Sequence, residues 1–252
     1  MNKILHQSLV LTRANLSARY RGSFFGYLWV LMGPLATYMA QAYIFHIIFK
    51  IQIENFFIFL LFGICPWIFF AQTIEMVAAL FTHKANVLKS YSVSPLALVL
   101  AQAIDNFLNS ITVIIIALCL ISFLSEVPWL KVIAFPIPFF VLMLTTSFIG
   151  FLIAVTNVFF YDTKFVTTFL IGIMFYLSPV LYPENYVPAQ YLILLKLNPM
   201  TYLLRPFRDL LISGMEGVFF QDLGVATMIC LIAGVLAMLV WKSIKNDFYF
   251  KL

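Results

Sequence analysis

Glu75 and Asp105 are the residues best placed for chemistry, because each is an acid set within an otherwise apolar stretch of helical length. Two carboxyls at membrane depth suit a proton relay. They equally suit capping a helix, pairing with Lys84 or Lys89, or reaching the membrane interface. Little else offers acid–base or covalent chemistry. His6, His46 and His83 are scattered along the chain. Cys65, Cys119 and Cys230 lack metal-ligand spacing, and three cannot pair completely, so they read as small apolar packing residues. There is no Gly-x-x-x-x-Gly-Lys-Ser/Thr phosphate loop, no Gly-x-Ser-x-Gly elbow and no His-Glu-x-x-His. No catalytic residue, metal site or cofactor is expected in this chain.

The elements that must hold these residues are set by solvent preference. Of 252 residues, 63% are hydrophobic and only 10% are charged, against about 25% charged in a soluble domain. The mean hydropathy is +1.03. About 20 apolar residues cross a bilayer core as a helix, and six such stretches lie at about 27–49, 56–81, 96–123, 133–160, 165–181 and 223–243. Pro66 predicts a kink in the second. The first begins behind a polar leader and is too long for a signal-peptide core. Six spans nearly exhaust 28.9 kDa, leaving no room for a soluble catalytic domain. The expected fold is an all-α membrane protein: one transmembrane domain over 1–252, with a cytoplasmic leader (1–26), spans one to five (27–181), an outer segment (182–221), the sixth span (222–243) and a cytoplasmic tail (244–252).

Orientation follows from the basic residues. With the N-terminus inside, the inner segments carry Lys3, Arg13, Arg19, Arg21, Lys84, Lys89, Lys164, Lys242, Lys245 and Lys251. The outer ones carry Lys50, Lys131, Lys196, Arg205 and Arg208. Both termini are therefore predicted cytoplasmic. The net charge of +5 follows from this topology and does not imply nucleic acid.

Three connecting segments stand out. In the leader, Ile4, Leu11, Ala14 and Ala18 share one helical face, with Asn2, His6, Arg13 and Ser17 opposite, which fits an interfacial amphipathic helix; a plain basic anchor fits as well. The 82–94 loop is short and polar, with Pro95 opening the next span. It is a connector, or a short helix touching a partner. The 182–221 stretch is broken by Pro183, Pro188, Pro199 and Pro206, yet is rich in Leu, Phe and Tyr. Such pieces read as re-entrant or interfacial helices, and irregular backbone at this depth needs protein or a watery cavity around it. Helices dipping in from the outer face are expected. No repeat relates the two halves, which weighs against an inverted-repeat transporter.

The run Arg19-Tyr20-Arg21-Gly22-Ser23-Phe24-Phe25-Gly26-Tyr27-Leu28-Trp29, followed by Pro34, resembles the start of the first span in membrane subunits of type-2 ABC exporters of the polysaccharide-export branch. Phe25 stands where that family commonly has Leu. Asn86, Leu88 and Lys89 resemble its cytoplasmic coupling segment, although Ser92-Val93-Ser94-Pro95 departs from the commoner ending. Leu197-Asn198-Pro199-Met200 resembles the turn before its last interfacial helix. The resemblance implies a half-transporter: a permease that pairs with a second copy and with two copies of a separate P-loop ATPase, in the cytoplasmic (inner) membrane. The partner would hold ATP and magnesium. The implied cargo is a lipid-linked glycan such as O-antigen, capsule or teichoic acid. Ala85, Asn86, Val87, Leu88 and Lys89 become candidate ATPase contacts.

A conduit for a glycan should mix aromatics with hydroxyls and amides, since sugars have apolar faces and polar rims. Thr37, Tyr38, Gln41 and Phe45 form one such stripe with Pro34; Thr168, Gly172, Phe175 and Tyr176 form another. Both are candidate channel linings, and both are also compatible with helix packing. Arg19 and Arg21 are topology anchors or capture anionic head groups or a diphosphate linker. Tyr191, Asn198, Pro199, Arg205 and Arg208 belong to the expected outer gate. Trp29, Trp129 and Trp241 fall near span ends, as interfacial anchors should; Trp67 lies deeper. The alternatives are an exporter of a drug or small lipid in the same class, an ion-coupled transporter using Glu75 and Asp105, and a membrane-embedded transferase, which the scarcity of acids and histidines disfavours.

Overall fold

The computed structural model describes residues 2–19, 56–124, 134–210 and 216–252, with a few positions between 32 and 44. Among them all regular structure is helical, as expected where each backbone N–H and C=O must be satisfied without water. The helices are α1 (Asn2–Arg19), α2 (Phe56–Ala78), α3 (Leu80–His83), α4 (Ala85–Ser90), α5 (Pro95–Leu124), α6 (Pro136–Phe159), α7 (Thr163–Leu177), α8 (Leu192–Leu197), α9 (Pro199–Asp209) and α10 (Glu216–Lys251). Three helical stretches among the described residues are long and apolar enough to cross a membrane: Phe59–Ala78, Pro136–Phe159 and Gly217–Lys251. The proposed first span lies largely outside the described residues.

Proline sets several boundaries. Pro95, Pro136 and Pro199 each sit in a first helical turn, where the missing N–H costs nothing. α7 stops at Leu177, four residues short of the predicted end. Ser178 is extended because a residue before proline avoids the helical region, and Pro179 follows. Pro66 and Pro206 lie inside continuous helices. α10 overruns its prediction at both ends, taking in six residues of the outer segment and nearly all of the tail, since nothing in 235–251 breaks a helix. The 82–94 connector is largely helical too, as α3 and α4.

α6 lies at the centre and packs against α2, α5, α7, α9 and α10. In lipid no hydrophobic force drives helices together, so close packing and polar contacts must. At Gly150 a methyl group would lie 3.1 Å from Val77 Cγ1, so glycine lets α6 approach α2. Thr145, Thr146 and Ser147 are buried yet satisfied, each hydroxyl donating to the carbonyl four residues back at 2.7–2.8 Å. Phe135, Phe139 and Phe207 stack at 5.2–6.3 Å in one core. A second core joins Phe81, Phe151, Trp241 and Phe248 at 5.2–6.0 Å.

The leader forms a helix, α1, whose packed face mixes polar and apolar residues: Ser8 and Thr12 are buried and Leu11 packs against the second core, whereas Ala14, Leu5, Leu9 and Val10 are exposed. The Thr12 hydroxyl proton is shared between the carbonyls of Ser8, at 2.8 Å, and Ala101 of α5, at 3.1 Å. This polar contact docks α1 on α5.

Candidate functional site

The outer segment is built around ion pairs. Short turns at Glu184–Tyr186 and Ala189–Tyr191 lead into α8, and Asn198 then starts α9. The Asn198 Oδ1 accepts from Met200 N at 2.9 Å, capping α9, while its Nδ2 donates to Ser178 Oγ at 2.8 Å and the Leu177 carbonyl at 3.2 Å. One side chain thus ties the end of α7 to the start of α9. Arg205 donates to both Glu184 oxygens, at 2.7 and 2.6 Å, the geometry of a strong charge-assisted pair. Its third nitrogen lies 3.8 Å from Asp222 of α10.

Arg208 is buried. Its Nη2 donates to the Val180 carbonyl at 2.7 Å, and its guanidinium lies 3.9 Å over the Phe59 ring. Burial pulls its pKa down to about 9, so it stays cationic at neutral pH. Asp209, beside it, is buried, and burial followed by the Asp222 charge pushes it up to about 7. Burial also raises the Tyr182 phenol. Of the five expected gate residues, Asn198, Arg205 and Arg208 make these contacts, while Tyr191 and Pro199 are exposed. Glu184, Asp209 and Asp222 were missed at the sequence level. Their signal was the excess of carboxylates flanking the two arginines.

On the opposite side of the fold, a groove of about 530 Å³ runs between Lys3, Ile4 and Gln7 of α1, residues 88–94 and Tyr249 of α10. Gln7 closes one edge: its Nε2 donates to the Ser92 carbonyl at 2.8 Å and its Oε1 accepts from Ser94 N at 3.2 Å. In α4, Leu88 is buried as an anchor, Asn86 and Lys89 are exposed, and Ala85 and Val87 are half-buried. The candidate coupling residues thus offer a solvent-facing edge on a fixed helix.

The two acids do not share one environment. Glu75 is exposed and Asp105 is buried. Gln102 Nε2 approaches Asp105 Oδ2, Asn106 Oδ1 and the Met76 sulfur, each at 3.3 Å, and Asn106 Nδ2 donates to Thr73 Oγ1 at 3.1 Å. This is an interhelical polar contact between α2 and α5. Of the channel candidates, Thr37, Tyr38 and Phe45 lie outside the described residues, as does Arg21, and Gln41 is half-buried. Thr168, Gly172 and Tyr176 lie open on α7, while Phe175 is half-buried and packs on Trp67 at 5.5 Å. Trp67 is a core residue.

A profile of the ABC-2 type transporter family matches residues 6–212. The chain belongs to that family. It is similar to the O-antigen export system permease protein RfbA of Klebsiella pneumoniae, 28% identical over 95% of this chain and 92% of that protein. It is also similar to RfbA of Myxococcus xanthus, 26% identical over 92% of this chain and 88% of that protein. Polysialic acid transport protein KpsM of Escherichia coli is 23% identical over 83% of each chain. The likeness to the polysaccharide-export branch seen in the 19–29 motif therefore extends along nearly the whole chain. Membership makes this a membrane transport protein of ABC type.

Proposed function

We propose that this chain is the membrane half of an ATP-driven exporter that moves a lipid-linked polysaccharide across the cytoplasmic membrane. The observation that carries the reading is its near full-length similarity to permeases named for O-antigen export and polysialic acid transport. Two copies pair, each contributing six spans with both termini in the cytoplasm. Two copies of a separate ATPase, which bind ATP and magnesium, dock beneath. Ala85, Asn86, Val87, Leu88 and Lys89 present the docking edge. Arg19 and Arg21 capture the anionic head group or diphosphate linker. Thr37, Tyr38, Gln41, Phe45, Thr168, Gly172, Phe175 and Tyr176 line the conduit, and the helices from Tyr191 through Arg208 shut its outer end. The open face of α7, with Tyr176 72% exposed, supports its placement against the conduit or the second copy.

Reconstitution in vesicles with the cognate ATPase tests this. Lipid-linked glycan should cross only with ATP, and an ion gradient without nucleotide should move none. Gradient-driven transport would sink the reading. ATP-driven movement of a small lipid or drug but no glycan would keep the family and remove the cargo.

A further inference from the structure

Two hollows adjoin at the C-terminal end of α10. The larger, about 530 Å³, lies between α1, residues 88–94 and Tyr249, and both Lys3 and Lys89 line it. The smaller, about 170 Å³, is a slot between α6 and α10 walled by Phe148, Phe151, Met238 and Trp241. Ile4 and Ser94 line both, so the two are contiguous. The slot lies between two of the stretches long and apolar enough to cross a membrane, Pro136–Phe159 and Gly217–Lys251. Gly234 keeps it narrow: a methyl group there would lie 3.1 Å from the Phe148 ring, so glycine brings α10 this close to α6. The groove lies further toward the chain end, since Tyr249 follows Trp241 by about 12 Å along α10 at 1.5 Å per residue. Among the described residues no acid lines either hollow, and neither lysine is ion-paired. The adjoining end of α10 adds Lys242, Lys245 and Lys251 against Asp247 alone.

We propose that the two hollows form one binding site for an anionic membrane phospholipid, with its phosphate held by Lys3 and Lys89 and an acyl chain laid in the slot against Phe151 and Trp241. The order of the parts is that of a lipid: an apolar slot at span depth, then a cationic groove toward the helix end. Basic pockets between membrane helices take anionic head groups, and a tryptophan near a span end suits the boundary between chain and head group. The slot holds only the upper part of a chain. The rest continues into the bilayer along α10, where Leu231, Val235 and Met238 are exposed. Free phosphate would leave the slot empty, and a zwitterionic lipid would leave the lysine charge unbalanced. A lipid touching Lys3, Lys89 and Trp241 bridges α1, α4 and α10, and so fastens the leader to the last long helix. Binding needs only the membrane setting that family membership gives. It depends neither on the cargo nor on the ATPase. Lys89 also belongs to the docking edge given under Proposed function, so the test uses the full-length permease without its ATPase.

Trp241 reports on the slot directly. The permease is reconstituted in phosphatidylcholine nanodiscs containing increasing amounts of phosphatidylglycerol with brominated acyl chains, which quench tryptophan on contact. Phosphatidylcholine brominated in the same way is the comparison, and subtracting the signal of Trp241→Phe isolates the quenching at Trp241. Half-quenching should need about fivefold less phosphatidylglycerol than phosphatidylcholine for each lysine, the equivalent of ~1 kcal/mol apiece. Lys3→Gln together with Lys89→Gln should abolish that preference, and Lys3→Arg together with Lys89→Arg should keep it. Both lysines are exposed, so these variants should melt as the wild type does. Inorganic phosphate should displace none of the brominated lipid, because it leaves the slot unfilled. Equal quenching by the two lipids, a preference retained in the double Gln variant, or displacement by inorganic phosphate each overturns the site. A polyprenyl phosphate that displaces the brominated lipid better than unlabelled phosphatidylglycerol does would overturn the phospholipid as its occupant.

Discussion

At Gly63 a methyl group would lie 2.4 Å from the Val180 carbonyl oxygen and 2.6 Å from Arg208 Nη2, so this position is reserved for a hydrogen bond between two other residues. Gly63→Ala forces one partner aside and is expected to cost about 1–3 kcal/mol, read as a lower melting temperature in nanodiscs. Wild-type melting would mean that the Arg208 contact is not fixed by packing. Asn198 allows a finer division. Asn198→Ala removes a helix cap worth about 1 kcal/mol and strands the Ser178 hydroxyl and Leu177 carbonyl, about 1–3 kcal/mol more. Asn198→Asp keeps the capping oxygen and loses only the amide donor, so it should recover about the cap's share. Equal losses in both variants would show that the cap contributes nothing. The Asn198-Pro199 pair was legible as a helix start because capping is local chemistry. The setting of Arg208 was not, because Phe59, Gly63, Val180 and Arg208 meet only after three separated stretches fold together.

Helices were read from hydropathy, and hydropathy reports where lipid ends rather than where a helix ends. That is why α5 and α6 match the reading to within a few residues, both opening on proline, while α10 runs on through polar Lys245, Asn246 and Asp247. The same limit left the docked hydroxyls of α1 unseen. Apolar periodicity selected Ile4, Leu11, Ala14 and Ala18, but the neighbour α5 presents a backbone carbonyl at Ala101, which a hydroxyl satisfies better than a methyl. Two predictions belong to this element. Thr12→Val keeps the shape and loses the bond, and α1 should loosen from α5 by about 1 kcal/mol, seen as faster exchange in 8–16. Gln7→Ala removes both bonds to the 92–94 backbone. Exchange of 91–95 should rise about tenfold, the equivalent of ~1.4 kcal/mol, and affinity for the cognate ATPase should fall several-fold in a binding titration. If the loop loosens and ATPase binding is unchanged, the groove is not part of the docking surface.

Across the whole molecule, α10 is the one described helix that touches both the Arg205 cluster and the groove beside α4. Its 36 residues extend about 54 Å at 1.5 Å per residue, against a hydrocarbon core of ~30 Å. Its N-terminal end holds Asp222 3.8 Å from Arg205. Its C-terminal end packs Phe248 against Phe81 at 5.4 Å and against Trp241 at 5.2 Å, and Tyr249 lines the groove beside Leu88. Glycines along it do not interrupt the helix. A rigid element fixed at both ends carries displacement from one to the other, provided that its inner seat is tight. Phe248 is fully buried, so Phe248→Ala opens a cavity there at a cost of about 3–5 kcal/mol while leaving α4 and its exposed edge in place. In the reconstituted complex the ATPase should still bind and hydrolyse ATP, while glycan exported per ATP consumed falls several-fold. Phe248→Leu, which refills most of the volume, should restore that ratio. A proportional fall of hydrolysis and export in Phe248→Ala, with the ratio unchanged, would mean that the inner seat serves stability alone and that displacement reaches the outer helices by another route.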